Sequence, residues 1–329
     1  MIKQLLASQP QTPQKSYGEA FAPSNIALIK YWGKRQSFLN LPMTSSLSIS
    51  LGEKGAHTRI APIDAAENQV YLNGILVAET DPFQQRLSHF LNLLKPDAAP
   101  HYRIDTQVNL PIAAGLASSA CGFAALVKAF ADLYAWNLPE PILSILCRIG
   151  SGSASRSLWQ GFVEWHRGER EDGLDSYAEP LPYTMPGLMI GLLIVSADKK
   201  PIGSREAMNR TTQTSQLYES WPKQVENDLV KMKRALEQQD FKSMGETAES
   251  NAMAMHATMF SAQPSICYFL PETLIAMQKI WALRKEGIPI YFTQDAGPNL
   301  KVLTLKGQEH HLSQLKLNWI AVLQPFQKQ

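Results

Sequence analysis

The sequence has little net charge and no surplus of basic residues. Of its 329 residues, 31 are basic and 29 are acidic, so the net charge is only +2 when histidine is counted as neutral. This balance excludes the broad positive field by which proteins attract nucleic acid or an anionic membrane. Any chemistry on phosphate groups must therefore depend on cations that the fold brings together locally.

Cysteine is also scarce. The three cysteines, Cys121, Cys147 and Cys267, are odd in number and far apart, which fits neither a disulfide framework nor the spacing of metal ligands. The histidines show no ligand spacing either, so we expect no metal cage built from side chains. The sequence favours a protein of the reducing cytoplasm.

Long hydrophobic runs are absent from the sequence. The longest, residues 187–195, is far shorter than the roughly 18 residues that cross a bilayer, and it predicts a buried strand instead. The Gln-rich first residues contain no apolar run of the length found in signal peptides. We expect residues 1–17 to form a loose N-terminal tail and the protein to have no membrane partner.

The residues that are present describe a folded, two-lobed protein. Hydrophobic residues make up 45% of the chain, and its length exceeds the roughly 100–200 residues of a usual domain. Strand patterns and helix patterns mix without strict alternation, which favours an α+β fold with an active site between two lobes, residues 18–185 and 186–329. The predicted strands cover residues 20–32, 46–51, 58–60, 70–72, 101–108, 187–195, 288–293 and 300–305; the predicted helices cover residues 116–136, 225–236 and 271–287.

A glycine- and serine-rich loop, residues 115–122, joins a strand to an amphipathic helix. Gly115 permits backbone angles closed to other residues, and small neighbours let a phosphate approach main-chain N–H groups at the helix N-terminus. No Gly-Lys-Ser/Thr follows, so this is not the Walker pattern. The alternative is a helix start whose small residues serve only close packing. The candidate nucleotide-binding residues are Gly115, Leu116, Ala117, Ser118, Ser119 and Ala120.

Two other segments concentrate cations, hydroxyls and glycines. Residues 25–35 are an apolar strand that ends in two lysines and a tyrosine; the alternative is a solvated lysine pair beside a core tryptophan. Residues 150–157, GSGSASRS, can form a nest of backbone N–H groups, with Arg156 as a fork for a carboxylate or phosphate. A Gly-Ser linker would look similar but would not continue into the apolar sequence LWQGFVEW.

Two further segments are unremarkable when taken alone. Residues 203–208, GSREAM, resemble an ordinary polar loop, and Asp295 in the sequence DAGPN could simply initiate a turn between two strands. Their order and separation relative to the other segments give them weight. The chain contains five such segments in this order: NIALIKYWGKR, the GLASSA loop, GSGSASRS, MHAT and YFTQDAGPN. Over residues 18–305 it resembles the diphosphomevalonate decarboxylases of the GHMP kinase superfamily.

The resemblance implies a function and a role for each segment. Members of that family phosphorylate the tertiary C3 hydroxyl of 5-diphosphomevalonate with ATP and Mg²⁺, and the product then loses carbon dioxide and phosphate to give isopentenyl diphosphate. By resemblance, Asp295 lies beside the hydroxyl as a base or an electrostatic orienter, Lys30 accompanies it, and Arg156 contacts the carboxylate. Ser118 or Ser119 would meet Mg²⁺. The implied substrate-binding residues are Asn25, Tyr31, Trp32, Gly33, Lys34, Ser151, Gly152, Ser153, Ala154, Ser155, Arg156, Ser204 and Arg205.

Other functions remain open at the level of sequence. A relative with the same fold could act on mevalonate or its 5-phosphate, or could phosphorylate C3 without decarboxylation. A protein of another class could keep the fold as a non-catalytic small-molecule sensor. The resemblance also implies a homodimer, and the low net charge argues against nucleic acid as a partner.

Overall fold

The computed structural model describes residues 2–96, 99–110, 118–198, 200–315 and 318–326. Within them, the strands form two larger sheets and one two-stranded ribbon. The first sheet contains β1 (Gly18–Ile29), β4 (Ser46–Ile63), β5 (Gln69–Leu72), β6 (Ile75–Leu76), β7 (His101–Val108), β8 (Phe162–Trp165) and β9 (Ala178–Pro180), and β2 (Lys34–Gln36) pairs with β3 (Leu41–Pro42).

The second sheet is antiparallel and lies later in the chain. Its order is β11-β12-β10-β13, formed by β10 (Leu188–Ile194), β11 (Ile290–Gln294), β12 (Leu300–Leu305) and β13 (Asn318–Leu323). This division agrees with two lobes, while the boundary between residues 185 and 186 stays a prediction. The helices are α1 (Ile2–Leu5), α2 (Pro82–Leu94), α3 (Ser118–Tyr134), α4 (Glu140–Gly150), α5 (Ser204–Thr214), α6 (Trp221–Glu237), α7 (Phe241–Phe260) and α8 (Pro271–Lys285).

Strand β4 is longer than its sequence pattern indicates. The sequence predicts separate strands at residues 46–51 and 58–60, but the structure joins them into one strand of 18 residues. Gly52, with φ +63°, absorbs the irregularity in the middle. Strand β1 pairs with β4 from Gly18 opposite Ile60 to Ile29 opposite Leu47, so one long antiparallel strand pair supports the first sheet.

Two main hydrophobic clusters stabilise the fold. Helix α3 packs on the first sheet, where Phe130 stacks on Tyr134 at a centroid distance of 4.7 Å. The other cluster joins the two lobes, because it contains Ile26 from the first sheet, Ile190 from the second sheet and Trp221 from α6. A shared core of this kind holds the residues at the end of β1 against the second lobe.

The N-terminal segment is packed, in contrast to the loose tail expected from its Gln-rich sequence. Ile2 and Leu6 are buried in the cluster around α3, and the Trp136 indole N–H donates to the Pro10 carbonyl at 3.0 Å. The backbone N–H of Gln14 donates to the Leu133 carbonyl. The apolar spacing of MIKQLL, hidden by its polar neighbours, explains why the segment binds the core.

Residues 203–208 also differ from expectation. Instead of a polar loop, they begin helix α5, which starts at Ser204 after the extended residue Gly203. Ala207, Met208 and Thr211 are buried at helical spacing. The exposed first turn, with Ser204 and Arg205, is thereby placed on a rigid element.

The approach of β1 to α3 is testable at Gly18. A Cβ added there would lie 2.2 Å from the Ala129 carbonyl oxygen and 2.4 Å from the Leu133 nitrogen, both backbone atoms of α3. Because backbone cannot move aside as a side chain can, we expect Gly18→Ala to lower the free energy of unfolding by about 1–3 kcal/mol. Urea denaturation, followed by circular dichroism, measures this change.

The matched control is Gly122, which lies on helix α3. A Cβ at Gly122 meets no atom within 4 Å, so Gly122→Ala gains helix propensity and is expected to raise the free energy of unfolding by up to about 1 kcal/mol. Equal urea midpoints for the two variants would contradict the close packing of β1 on α3.

Candidate active site

A cavity of about 380 Å³ opens between the two lobes. It is surrounded by the end of β1, helices α2 and α5, a 3₁₀ turn (Gly152–Arg156) that follows α4, and the turn between β11 and β12. Its lining combines basic and hydroxyl side chains with one carboxylate. The lining residues are Asn25, Ala27, Lys30, Tyr31, Trp32, Lys34, Asn40, Arg86, Ser119, Ser151, Gly152, Ser153, Arg156, Lys200, Ser204, Arg205, Met208, Met255, Asp295 and Ala296.

Asp295 is held between two buried lysines. Its Oδ1 lies 2.8 Å from Lys30 Nζ and its Oδ2 lies 2.9 Å from Lys301 Nζ. Burial alone would raise the pKa of Asp295, but the charges and hydrogen bonds of the two lysines outweigh burial and hold the pKa well below its usual range. The carboxylate is therefore ionised at any physiological pH.

Lys30 is fixed by its backbone as well as by its side chain. It directly follows β1, where its N–H donates to Asn251 Oδ1 at 2.8 Å, and Asn251 Nδ2 donates to the buried Asp228 carboxylate at 2.9 Å. Lys30 Nζ also donates to the Ala27 carbonyl at 2.9 Å. Burial lowers the pKa of Lys30 to about 8, although the neighbouring charge of Asp295 opposes this shift.

Arg156 closes the 3₁₀ turn and is 2% exposed. Its guanidinium donates to Ser46 Oγ and, at 3.5 Å, to Asn25 Oδ1. The Asn25 amide is itself fixed because its Nδ2 donates to Ser157 Oγ at 2.7 Å. Burial lowers the pKa of Arg156 to about 10, so a fixed cation faces the cavity at neutral pH.

Three more cations converge at the other end of the cavity. Lys34, Arg86 and Arg205 form no ion pair with an acidic side chain within the described part of the chain. Lys34 Nζ donates to Asn40 Oδ1 at 2.6 Å. Burial, followed by the charges of Arg205 and Arg86, lowers the pKa of Lys34 to about 8. Mutually repelling cations without a protein counter-charge indicate a site for a polyanion.

Tyr31 lines the cavity within range of the charges of both Arg156 and Arg205. Its ring packs against Trp165 at a centroid distance of 4.8 Å, and its buried hydroxyl has no protein partner among the described residues. Burial raises the pKa of Tyr31, so its hydroxyl stays a neutral donor. A Cβ at Gly152 would lie 2.7 Å from the Tyr31 ring, which explains the need for glycine there.

Most residues singled out in the sequence do meet in this cavity. Among the residues whose side chains are described, the exceptions are Gly33, Ala120, Ala154 and Ser155, which are buried outside its lining. Gly33 has φ +109° and packs under the Tyr218 hydroxyl, while Ser155 Oγ donates to the Gly152 carbonyl and stabilises the 3₁₀ turn. These residues pack behind the cavity wall and do not line the cavity themselves.

The nucleotide loop is described only in part. Gly115, Leu116 and Ala117 lie outside the described residues, and helix α3 begins at Ser118. Ser119 lines the cavity, with its Oγ 3.5 Å from Ser151 Oγ. No group of three or more His, Cys, Asp or Glu residues that could hold a metal occurs in the part of the chain described here.

Sequence reasoning missed four polar residues of this site: Asn40, Arg86, Lys200 and Lys301. Lys301 carried a signal, because a lysine within the apolar strand sequence LKVLTL requires a buried partner. Lys200 stands in a Lys-Lys pair just before residues 203–208, and the sequence indicates no role for it. Arg86 lies on α2, far in sequence from any recognised motif, and Asn40 lies in a turn just beyond the segment 25–35, so the fold is needed to show that both reach the cavity.

Comparisons with known proteins agree with this geometry. A family model described as "Diphosphomevalonate decarboxylase-like N-terminal domain" matches residues 22–178, and one described as "Mevalonate 5-diphosphate decarboxylase C-terminal domain" matches residues 190–326. The diphosphomevalonate decarboxylase of Rattus norvegicus is 36% identical over 320 residues, which are 90% of this chain and 78% of the rat protein. The enzyme of Aspergillus fumigatus is 37% identical over 87% of this chain and 76% of its own length.

Solved structures show the same likeness. A structure described as "MDDEF in complex with MVAPP, AMPPCP and Magnesium" has a TM-score of 0.86 at 39% identity and covers 91% of this chain and 92% of that one. Mevalonate diphosphate decarboxylase from Staphylococcus aureus also has a TM-score of 0.86, at 34% identity over 93% of this chain and 97% of its own. These likenesses confirm the predicted α+β, two-lobed GHMP kinase fold.

No helix among the described residues has the length and apolar character needed to cross a bilayer. The cationic cleft, the two matching family models and the agreement with relatives over most of the chain lead to one conclusion. The chain belongs to the diphosphomevalonate decarboxylase family.

Proposed function

We propose that this protein catalyses the ATP-dependent decarboxylation of (R)-5-diphosphomevalonate to isopentenyl diphosphate, ADP, phosphate and carbon dioxide. The observation that carries this proposal is the charge of the cavity, where Asp295 is the one carboxylate among the described lining residues and faces a large excess of cations. The cationic lining residues are Lys30, Lys34, Arg86, Arg156, Lys200 and Arg205. A substrate with a diphosphate at one end and a carboxylate near the other matches this excess.

The diphosphate fits the end of the cavity that holds Lys34, Arg86 and Arg205. These cations have no acidic partner among the described residues, and a diphosphate offers several acceptor oxygens. Ser151 and Ser153 line the same region, and the Tyr31 hydroxyl is a neutral donor without a partner. An ester with a single phosphate would leave part of this charge unpaired, which disfavours mevalonate 5-phosphate as the substrate.

The reacting end of the substrate then lies between Arg156 and Asp295. The fixed guanidinium of Arg156 binds the carboxylate, and the C3 hydroxyl lies beside Asp295. A tertiary alcohol is a weak nucleophile, so fixed orientation must supply much of the rate enhancement. These contacts hold the hydroxyl oxygen towards the γ-phosphate of ATP.

Asp295 acts by orientation and charge in this proposal, rather than by removing a proton. Its pKa is held far below neutrality and both of its oxygens already accept hydrogen bonds from ammonium groups, so it is a weak base. Phosphoryl transfer through a loose transition state needs little proton removal before the new P–O bond forms. A fixed carboxylate that accepts the hydroxyl hydrogen is sufficient for this step.

The second step breaks two bonds of the phosphorylated substrate. The bond between the carboxylate and C2 breaks to release carbon dioxide, its electron pair forms the C2–C3 double bond, and the C3–O bond breaks to release phosphate. Positive charge around the leaving phosphate stabilises its departure, and Lys30 is the nearest fixed cation to Asp295. The products retain the diphosphate on its three cations.

The nucleotide side fits ATP with Mg²⁺. The N-terminus of α3 presents backbone N–H groups to a phosphate, and the Ser119 hydroxyl that lines the cavity is a hard oxygen ligand of the kind that Mg²⁺ accepts. Bound Mg²⁺ neutralises phosphate charge during transfer. Resemblance supports residues 115–118 as the remainder of this phosphate loop.

Two further parts of the proposal concern the setting of the enzyme. Its family resemblance supports a homodimer. A cytoplasmic location is supported by the scarcity and wide spacing of the cysteines, Cys121, Cys147 and Cys267, which suit a reducing compartment.

The function is tested by incubating the protein with ATP, Mg²⁺ and one of three acceptors: mevalonate, its 5-phosphate or its 5-diphosphate. We expect ADP and carbon dioxide in equal amounts from the 5-diphosphate, and at least about a hundredfold lower kcat/KM with the others because phosphate contacts are lost. ADP without carbon dioxide would indicate a 3-kinase, and binding without ADP would indicate a sensor.

The matched variant in this assay is Asp295→Asn, which keeps the shape of the side chain but removes its charge. We expect kcat to fall by about 10³-fold or more. The urea midpoint should fall as well, because Lys30 and Lys301 lose their counter-charge, so activity is compared where circular dichroism shows that the variant is folded. Turnover near the native rate would contradict the role proposed for Asp295.

The cationic end of the cavity predicts a pH dependence of substrate binding. Because the pKa of Lys34 is lowered to about 8, its side chain is charged below pH 8 and becomes neutral above it. We expect the KM for 5-diphosphomevalonate to rise by about tenfold between pH 7 and pH 9 as the cation is lost. Steady-state kinetics at saturating ATP measure this rise.

The control for this pH dependence is Lys34→Arg, since arginine stays protonated throughout the range. We expect a smaller increase in KM from pH 7 to pH 9 in this variant, and the native increase in Lys306→Arg, which changes an exposed residue. A KM that is independent of pH in the native chain would contradict the assignment of Lys34 to the diphosphate.

A further inference from the structure

Strand β12 carries a buried cation that neither the motifs nor the family comparison singled out. Lys301 is the second residue of the strand sequence LKVLTL, and its side chain is 3% exposed. The strand lies between β10 and β11, where Lys301 pairs with Leu192 on one side and Thr293 on the other. A lysine in such a place is costly unless its charge has a fixed partner.

That partner is Asp295, at the turn that joins β11 to β12. Lys301 Nζ lies 2.9 Å from Oδ2, and Lys30 Nζ, at the end of β1, lies 2.8 Å from Oδ1. One lysine therefore comes from each sheet, and each carboxylate oxygen has its own ammonium group. The Asp295 side chain remains 30% exposed towards the cavity.

We propose that Lys301 is a positioning residue that holds the Asp295 carboxylate in the one orientation that serves the C3 hydroxyl. The inference rests on the reaction proposed above. Lys301 does not line the cavity, so it acts through Asp295 rather than on the substrate.

The physical reason is that the carboxylate of an aspartate rotates easily about the bond between Cβ and Cγ. The bond between Cβ and Cγ of aspartate is an sp³–sp² bond with a broad energy profile, so one ammonium group fixes one oxygen but leaves the plane free to turn. A second ammonium on the other oxygen defines the plane. The lone pairs that remain on the exposed side then point in one direction, where a substrate hydroxyl can donate.

The second lysine also adds to the charge of the site. Lys30, Asp295 and Lys301 together carry one net positive charge, which favours a departing phosphate. The charge of Lys301 helps to lower the pKa of both Lys30 and Asp295. The other charged or titratable groups around Asp295 are Arg156, Lys200 and His256.

A purely structural role for Lys301 makes a different prediction. If the lysine served only to stabilise β12, its replacement would change the stability of the fold without a selective effect on kcat. Methionine matches the length of the side chain and suits an apolar strand, so Lys301→Met removes the charge with little change in shape. The comparison of kcat, KM and pH profile separates the two roles.

The experiment measures ADP release with ATP and 5-diphosphomevalonate for the native chain, Lys301→Met, Lys301→Gln and Lys301→Arg. For the two neutral variants we expect kcat to fall by about 10- to 100-fold, with the KM of both substrates within about threefold of native. The basic limb of the kcat profile should move to higher pH, because the charge of Lys301 no longer lowers the pKa of Lys30, which is about 8 in the native chain. Lys301→Arg should restore the basic limb and most of kcat.

The variants include their own controls. Lys301→Gln keeps a hydrogen-bond donor without charge, so it replaces the methionine variant if that variant does not fold. Lys306→Met is the control for a lysine change elsewhere, because Lys306 is exposed and lies beyond the same strand. Neutral variants whose kcat stays within about twofold of native and whose basic limb stays within about 0.3 pH units would overturn this inference but not the proposed function. A native chain that releases no ADP would overturn the proposed function and this inference with it.

Discussion

The ion cluster around Asp295 is the interaction on which the rest of the site depends. It joins the end of β1 in the first sheet, through Lys30, to β12 in the second sheet, through Lys301. A carboxylate that pairs with two buried ammonium groups is stable only when all three groups are held in place, because a missing partner leaves an unpaired charge in the interior. The active-site geometry and the contact between the lobes are therefore the same feature.

The surrounding structure supports this cluster from both sides. Asn251 on α7 accepts the backbone N–H of Lys30 and is itself held by the buried Asp228 of α6. The shared core around Ile26, Ile190 and Trp221 prevents the sheets from separating. Lys34, Arg86 and Arg205, in contrast, have no such partners among the described residues, so their mutual repulsion is relieved when an anionic substrate binds.

The sequence predicted much of the fold because its patterns are local. The helical spacing around Phe123 and Phe130, the apolar run at residues 187–195 and the strand pair around DAGPN all form the elements expected of them. The continuity of β4 was not predicted, because its two halves are joined only through pairing with β1. The packed N-terminal segment was missed because its few apolar residues need a partner surface that a sequence pattern cannot show.

The residues of the candidate site also fall into two groups, those predicted from local sequence and those that only the fold brings together. Lys30, Arg156 and Asp295 stand in contiguous motifs and were predicted by resemblance, and the structure brings them to one cavity. Arg86, Asn40 and Lys301 come from separate elements, and their role depends on distances that only the fold sets. The two lysines bear on a question that the sequence left open, since the low pKa that they give Asp295 favours an orienting carboxylate over a base.

Transfer of phosphate to the C3 oxygen is the central claim, and labelling of that oxygen tests it most directly. If 5-diphosphomevalonate carries ¹⁸O in its C3 hydroxyl, the C3–O bond breaks only after a P–O bond has formed to the same oxygen. The account predicts one ¹⁸O atom in each inorganic phosphate released, measured by mass spectrometry. Unlabelled phosphate, with the label released as water, would contradict it.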